Sequence, residues 1–241
     1  MPQSDYVARW NDKHYVDAYL HVTSGSQPDG AEWAQKLDTN SDGVVLDLGC
    51  GEAKLLIALS PYIACGIGVD VSRHQIARGR QNIRSVGITN IELRTVDVRD
   101  ITFREEELDA VVSLAAIHHI SDDAKAQLFV SIRHWLKPGG LFHFHDDTFN
   151  FAPEEFEQEA ARIRDGHRAK LGDNYEWMKE NLCFDDFELC PYLDDLQQMI
   201  RASGLAIESV QRCGPDGPHG AIIRSRNPGS DSRQQKPGGD G

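Results

Sequence analysis

The stretch VVLDLGCGEAKLLIALS, Val44 to Ser60, constrains this chain more than any other. An apolar run of strand length ends in an acid, passes two glycines one residue apart, and continues as an apolar stretch of helical spacing. A strand so continuously apolar has to be covered on both faces, and a parallel sheet between helices supplies that cover. The rhythm then repeats. GVVLDLG, ACGIGVDVS, NIELRTVDV, LDAVVSLAAIH and LFHFHDD read as five strands up to Asp147. Between them, SRHQIARGRQNIRSVG has a good N-cap in Ser72 and a good stop in Gly87. A second helix is expected from Ser121 until Pro138-Gly139-Gly140 halts it. Strand and helix alternating in this way build right-handed crossovers and a doubly wound α/β sheet.

The alternation lapses on either side. DYVARWNDKHYVDAYLHV and GAEWAQKL read as helices ahead of the first strand, and residues 151–203 read as helices after the fifth. LAIESVQRC and GAIIRSR, joined by the turn-rich GPDGPHG, read as an antiparallel hairpin. The expected organisation is an N-terminal helical cap (1–36), a main domain (37–226) with a helical insert (149–203), and a polar, Gly- and Pro-rich disordered tail (227–241).

The turn at Gly49 does not suit a dinucleotide. The glycine-rich loop that holds a pyrophosphate carries a third glycine where this chain has Lys54. Asp47 and Glu52 would also repel the phosphates, by roughly 1 kcal/mol or more for each close pair at surface dielectric. A phosphate-free cofactor carrying an ammonium or a sulfonium would be favoured by the same acids. Asp70, at the end of GVDVS, is placed to accept ribose hydroxyls. Asp97, in TVDVRD, is placed to meet an adenine amino group.

VVLDLGCGEAK, GVDVS, TVDVRD, LDAVVSLAAIHHI and WLKPGGLFHFHD, in this order, resemble the class I S-adenosylmethionine (SAM)-dependent methyltransferases over about residues 36–147. The resemblance implies a seven-stranded, mostly parallel Rossmann-like sheet with one antiparallel strand, and SAM as cofactor. It implies cofactor contacts at Asp47, Gly49, Cys50, Gly51 and Glu52 in the turn, at Asp70 and Val71, at Asp97 and Val98, and at Leu114. Many members carry a further glycine where this chain has Ala53, a change expected to matter little.

Methyl transfer chiefly needs alignment of nucleophile and methyl, and a base only where the acceptor must lose a proton. His118 and His119 follow the fourth strand at the sheet's carboxyl edge, where such a base would stand. His145, with Asp146 or Asp147 beside it, is the third catalytic candidate. No metal site is expected. The aromatics Tyr15, Tyr19, Trp33, Phe149, Phe151, Tyr175, Trp177 and Phe184 are candidates for an acceptor pocket between the N-terminal helices and the insert.

A net charge of −13 argues against nucleic acid and anionic membrane as partners and for a small-molecule acceptor. Five cysteines without a CxxC pair argue for a reduced, cytoplasmic setting. The competing readings are a tRNA-nucleoside methyltransferase, which would need a basic face at Arg73, Arg78, Arg80 and Arg84, and a catalytically inactive methyltransferase-like binding protein. The sequence leaves the oligomeric state open.

Overall fold

The computed structural model describes residues 4–23, 28–182, 189–213 and 219–229. Cys183, Phe184, most of the GPDGPHG turn and the tail from residue 230 lie outside the described residues. Seven strands form one sheet: β1 (Val44–Leu48), β2 (Cys65–Asp70), β3 (Ile91–Thr95), β4 (Leu108–Leu114), β5 (Leu136–Phe149), β6 (Ala206–Arg212) and β7 (His219–Arg226). Their order is β3-β2-β1-β4-β5-β7-β6. Strands β1 to β5 run parallel, and β7 runs antiparallel to both β5 and β6. Strand order reverses between β1 and β4, so the crevice past their carboxyl ends is where a doubly wound sheet offers a ligand site.

Alternate strand residues feed two cores. Leu46, Leu48 and Val111 face α6 (Asp122–Trp135) and α9 (Leu193–Ala202). Val45, Ala110 and Val112 face α3 (Gly30–Lys36), α4 (Lys54–Leu59) and α5 (Arg73–Ser85). Burial on both faces explains why the strands read as unbroken apolar runs. As expected, Ser72 caps α5 by accepting from the Gln75 amide, and Ser121 caps α6 through Ala124.

Helix α6 ends earlier than its breaker. Leu136 is already extended, and β5 begins there, running through Pro138 and two glycines with a register shift against β4. Proline disfavours the helical conformation of the residue before it, so the helix stops short of Lys137. Asn227, placed by sequence in the tail, is fully buried and donates to the Leu136 carbonyl at 2.6 Å. The ordered domain therefore reaches one turn further than the hairpin.

At the front, α1 (Ser4–Trp10) and α2 (Lys13–Thr23) are separate helices. Asp12 breaks them apart by accepting from the His14 and Tyr15 amides, which starts the second. Trp10, Val16 and Leu20 form a small third core. The Tyr15 hydroxyl donates to the Leu182 carbonyl at 3.2 Å, tying α2 to α8 (Asn174–Leu182), which follows α7 (Phe156–Leu171) in the insert. Among the described residues, no helix is long and apolar enough to cross a membrane.

Candidate active site

The turn after β1 is built by left-handed residues. Gly49 has φ +74° and Gly51 φ +53°. A Cβ at Gly49 would stand 2.3 Å from the Ala116 methyl, and one at Gly51 would stand 2.7 Å from Gln75 Oε1. Gly49 therefore requires glycine on conformation and on space, and Gly51 on conformation, since the end of the Gln75 side chain could move aside. Ala53 is left-handed too, at φ 63° and ψ 25°, on the residue that leads into α4. An L-residue there costs roughly 1–2 kcal/mol, so the exchange of glycine for alanine is not neutral as the sequence suggested.

Asp70 closes on this turn. Its Oδ2 accepts from the Gly51 amide at 2.9 Å and its Oδ1 from the Ser72 amide at 2.7 Å. The two bonds fix the carboxylate at the end of β2 and leave each oxygen a lone pair. Burial raises its pKa, and the two amides oppose that rise. Asp47, on β1, is 3% exposed. Its carboxylate takes no hydrogen bond among the described residues, and burial, with Asp70 adding to it, pushes its pKa up to about 7. A buried acid without a protein partner is costly, and a cationic ligand is what would relieve it.

A narrow cavity of about 90 Å³ opens between these groups and α1. Gly49, Gly51, Asp70 and Val71 line one side, and Val98 and Leu114 line another. Sequence pointed to all six. His119 also lines it, together with Ala115, Ala116 and Gln75. The roof of Tyr6, Trp10 and Tyr19 was legible only for Tyr19. Tyr6 stacks on His119 with ring centroids 6.0 Å apart, and Trp10 meets the same imidazole edge-on at 5.7 Å. Helix α1 is fastened down by Asn11, which donates to the Val71 carbonyl at 3.1 Å and accepts from the Arg73 amide at 3.2 Å.

Four expected cofactor contacts sit otherwise. Asp47 lies beneath the cavity rather than on its lining. Cys50 is buried, its sulfur 2.7 Å from where a Cβ on Gly68 would be, and burial followed by Asp47 and Asp70 drives its thiol pKa well up. It is a packing residue. Glu52 turns away to Lys54 at 3.8 Å and Arg78 at 3.7 Å, so its charge is met by cations off the cavity. The acidic pair at the turn is Asp47 with Asp70, not Asp47 with Glu52. Asp97 lies two residues past β3. Arg99 grips it through Nε at 2.9 Å and Nη2 at 2.7 Å, and the Tyr6 hydroxyl donates to it at 2.9 Å. Its carboxylate is engaged by the chain itself.

The histidines also sort differently. His119 is in the cavity wall, and burial followed by His118 holds its pKa well below the usual value, which keeps it neutral at pH 7. His118 does not line the cavity. Its Nδ1 makes a close hydrogen bond with Asp146 Oδ1, and its ring centroid is 3.9 Å from that of His119. Burial works against a charged His118, but Asp146 outweighs it and raises the pKa. His145 stands outside this group: it is exposed, and its Nε2 is 3.5 Å from Cys213 Sγ. The strand's period of two explains the exchange. Asp146 points to the face opposite His143 and His145, which is where His118 waits. That alternation was the signal that could have found it.

The aromatic candidates divide as well. Tyr15 braces the insert, and Trp33 packs edge-on against His143 at 5.3 Å. Phe149, Phe151 and Tyr192 line a separate hollow of about 370 Å³ with Glu155, Asp194 and Arg212. Of the four arginines on α5, Arg78 pairs with Asp17 and Glu52, and Arg80 donates to the Leu93 carbonyl at 2.9 Å.

Residues 45–140 match a family model described as a methyltransferase domain. An uncharacterized methyltransferase of Bacillus subtilis (strain 168), YcgJ, is 29% identical over 173 residues, 70% of this chain and 59% of the relative. A ubiquinone biosynthesis O-methyltransferase of Acinetobacter baumannii (strain AYE) is 27% identical over 155 residues, 62% of this chain and 61% of the relative. The chain thus spans about three fifths of the length of these curated relatives. In fold, it superposes on the geranyl diphosphate C-methyltransferase of Streptomyces coelicolor A3(2), in complex with Mg2+, geranyl diphosphate and S-adenosyl-L-homocysteine, with a TM-score of 0.64 at 14% identity, over 94% of this chain and 99% of that one. The glycine turn, the two acids beside it and these likenesses agree: residues 45–140 are similar to a methyltransferase domain, and the fold is that of the class I methyltransferases.

Proposed function

We propose that this chain transfers a methyl group from SAM to a small-molecule acceptor. The observation that carries the reading is Asp47, a buried carboxylate with no hydrogen-bond partner among the described residues, set beside Asp70 at the left-handed turn of Gly49 and Gly51. When bound, SAM supplies a methyl on a positively charged sulfur, ready for in-line displacement. Asp70 receives the ribose hydroxyls, held in place by the amides of Gly51 and Ser72. Asp47 meets the α-ammonium. Tyr6, Trp10 and Tyr19 shut out water above the reacting atoms, and α1 has to lift to admit a ligand larger than the cavity's 90 Å³. The hydroxyl chemistry of the ubiquinone relative supports a small organic acceptor for this chain too. The commitment of Arg78 and Arg80 within the chain weakens the tRNA reading, which needed them free for phosphate.

Isothermal titration with SAM and S-adenosylhomocysteine (SAH) tests the reading directly. Both should bind, and Asp70→Ala should weaken SAH at least tenfold, in keeping with loss of hydrogen bonds to a charged group. Cys50→Ala should leave the affinity nearly unchanged. Equal losses in the two variants would contradict the role given to Asp70.

A further inference from the structure

The hollow of about 370 Å³ past the carboxyl end of β5 shares no lining residue with the cofactor cavity. Its volume is that of a small-molecule site, a class that begins at roughly 300 Å³. Contacts between distant segments hold its walls. The Phe149 amide donates to the Pro191 carbonyl at 2.9 Å, which joins the end of β5 to the approach to α9. Asn150 Nδ2 donates to the Gly220 carbonyl at 2.8 Å, which joins the same segment to β7. Phe149, itself buried, is the floor, with its ring centroid 5.1 Å from that of Phe151 and 5.2 Å from that of Tyr192. The rings of Phe151 and Tyr192 stand at 88° to each other, two walls of a corner.

Charge is divided over the rim. Asp194 and Asp195 stand on it in the first turn of α9, and Arg212 stands on it at the end of β6. The acids also suit a helix start, and Asp194 accepts from Gln197 Nε2 at 3.5 Å. Arg212 has no such duty. Among the described residues its guanidinium makes neither an ion pair nor a hydrogen bond, and neither does the Asp195 carboxylate. Opposite charges that face one hollow without closing on each other fit a ligand that carries both.

We propose that this hollow binds a zwitterionic α-amino acid with an aromatic side chain. The ligand carboxylate meets the Arg212 fork, its ammonium meets Asp194 and Asp195, and its ring packs in the corner of Phe149, Phe151 and Tyr192. A ligand with only a positive charge leaves Arg212 unmatched, and one with only a negative charge faces two carboxylates, so the divided rim selects the zwitterion. This ligand is not the methyl acceptor. Leu114, in the cofactor cavity, pairs with His145 across β4 and β5, and Phe149 lies four residues further on, about 13 Å at the rise of a strand. The site goes beyond the methyl-transfer reading and does not depend on it.

Isothermal titration of the full chain tests it with L-phenylalanine, 2-phenylethylamine and 3-phenylpropionate, which present one ring with both charges, the ammonium alone and the carboxylate alone. Phenylalanine should bind at a single site, and the other two at least tenfold more weakly. Arg212→Gln should weaken phenylalanine about tenfold and Asp195→Asn about threefold, since Asp194 remains. Both positions are exposed, so neither change threatens the fold. Saturating SAH should leave the affinity for phenylalanine within about twofold. Absence of saturable phenylalanine binding, equal binding of the three compounds, full affinity in Arg212→Gln, or competition by SAH would each overturn the proposal. A chain that binds phenylalanine but not SAH would overturn the methyltransferase reading alone.

Discussion

Replacing Asp47 by asparagine keeps the shape of the side chain and removes the charge. Burial, with Asp70 adding to it, raises the Asp47 pKa to about 7, against an ordinary value of 3.8. Between those two pH values the folded chain holds a proton that the unfolded chain has released. The stability linked to that proton is complete below pH 3.8 and is lost as pH rises through 7. The shift corresponds to about 4 kcal/mol of stability given up at pH 8. Asp47→Asn should recover about that much at pH 8, and about 2 kcal/mol at pH 5, where the wild-type acid is mostly protonated. Ligand affinity should move the opposite way. Only the ionised carboxylate serves an ammonium, and at pH 5.5 about one molecule in 30 is ionised, so SAH should bind roughly 30-fold more weakly there than at pH 8. The dependence should vanish in Asp47→Asn, with affinity uniformly low. Urea unfolding across pH reads the stability, and titration calorimetry in buffers of different ionisation enthalpy reads the released proton. A wild-type affinity that is flat from pH 8 to 5.5, or a slope that survives in the variant, would refute the placement of the ammonium at Asp47.

Two further outcomes follow from the burial of His143 and the left-handed turn at Ala53. His143 is 8% exposed with its Nδ1 buried and unbonded, and burial, then Arg224 and Lys36, lowers its pKa to about 4. Its neutral form is the one the fold accepts, so this residue costs stability as pH falls from 6.5 towards 4, about 2 kcal/mol between pH 7 and 5. His143→Phe should remove that loss in urea unfolding, and because Asp47 acts in the opposite direction over the same range, each effect shows best as a difference between variant and wild type. Ala53→Gly should stabilise the chain by about 0.5–1 kcal/mol: relief of left-handed strain exceeds the extra entropy gained by the unfolded chain. A thermal midpoint that falls in Ala53→Gly would show the left-handed turn to be unstrained.

Much of the frame was legible because local patterns and the final fold ask for the same residues. Unbroken apolar strands, Ser72 and Ser121 as caps, and the glycine pair at 49 and 51 need no distant partner to be recognised. Asp70 and Val71, Val98 and Leu114 could be placed because strand ends in a parallel sheet converge on one edge. Glu52 and Asp97 misled for the opposite reason. Each is an acid at a plausible loop position, but Arg78 and Lys54 take the one, and Arg99 and Tyr6 take the other. Arg78 and Tyr6 are far from their acids in sequence, and although Lys54 and Arg99 stand two residues away, spacing does not report which way their side chains turn.

By itself, then, the sequence determined the order of strands and helices along the chain, the need for glycine at the first turn, and the likeness to a methyltransferase domain. Those follow from periodicity and from backbone conformations that few residues can adopt. Only the folded chain decided which groups would be left without partners and which would be saturated. It buried Asp47 with no hydrogen-bond partner among the described residues, set Asp146 against His118, sent His145 to the surface, and laid Tyr6 and Trp10 over the cavity. Those outcomes depend on residues far apart in sequence being brought within a few ångströms of each other, where burial and hydrogen bonding set the charge on every group.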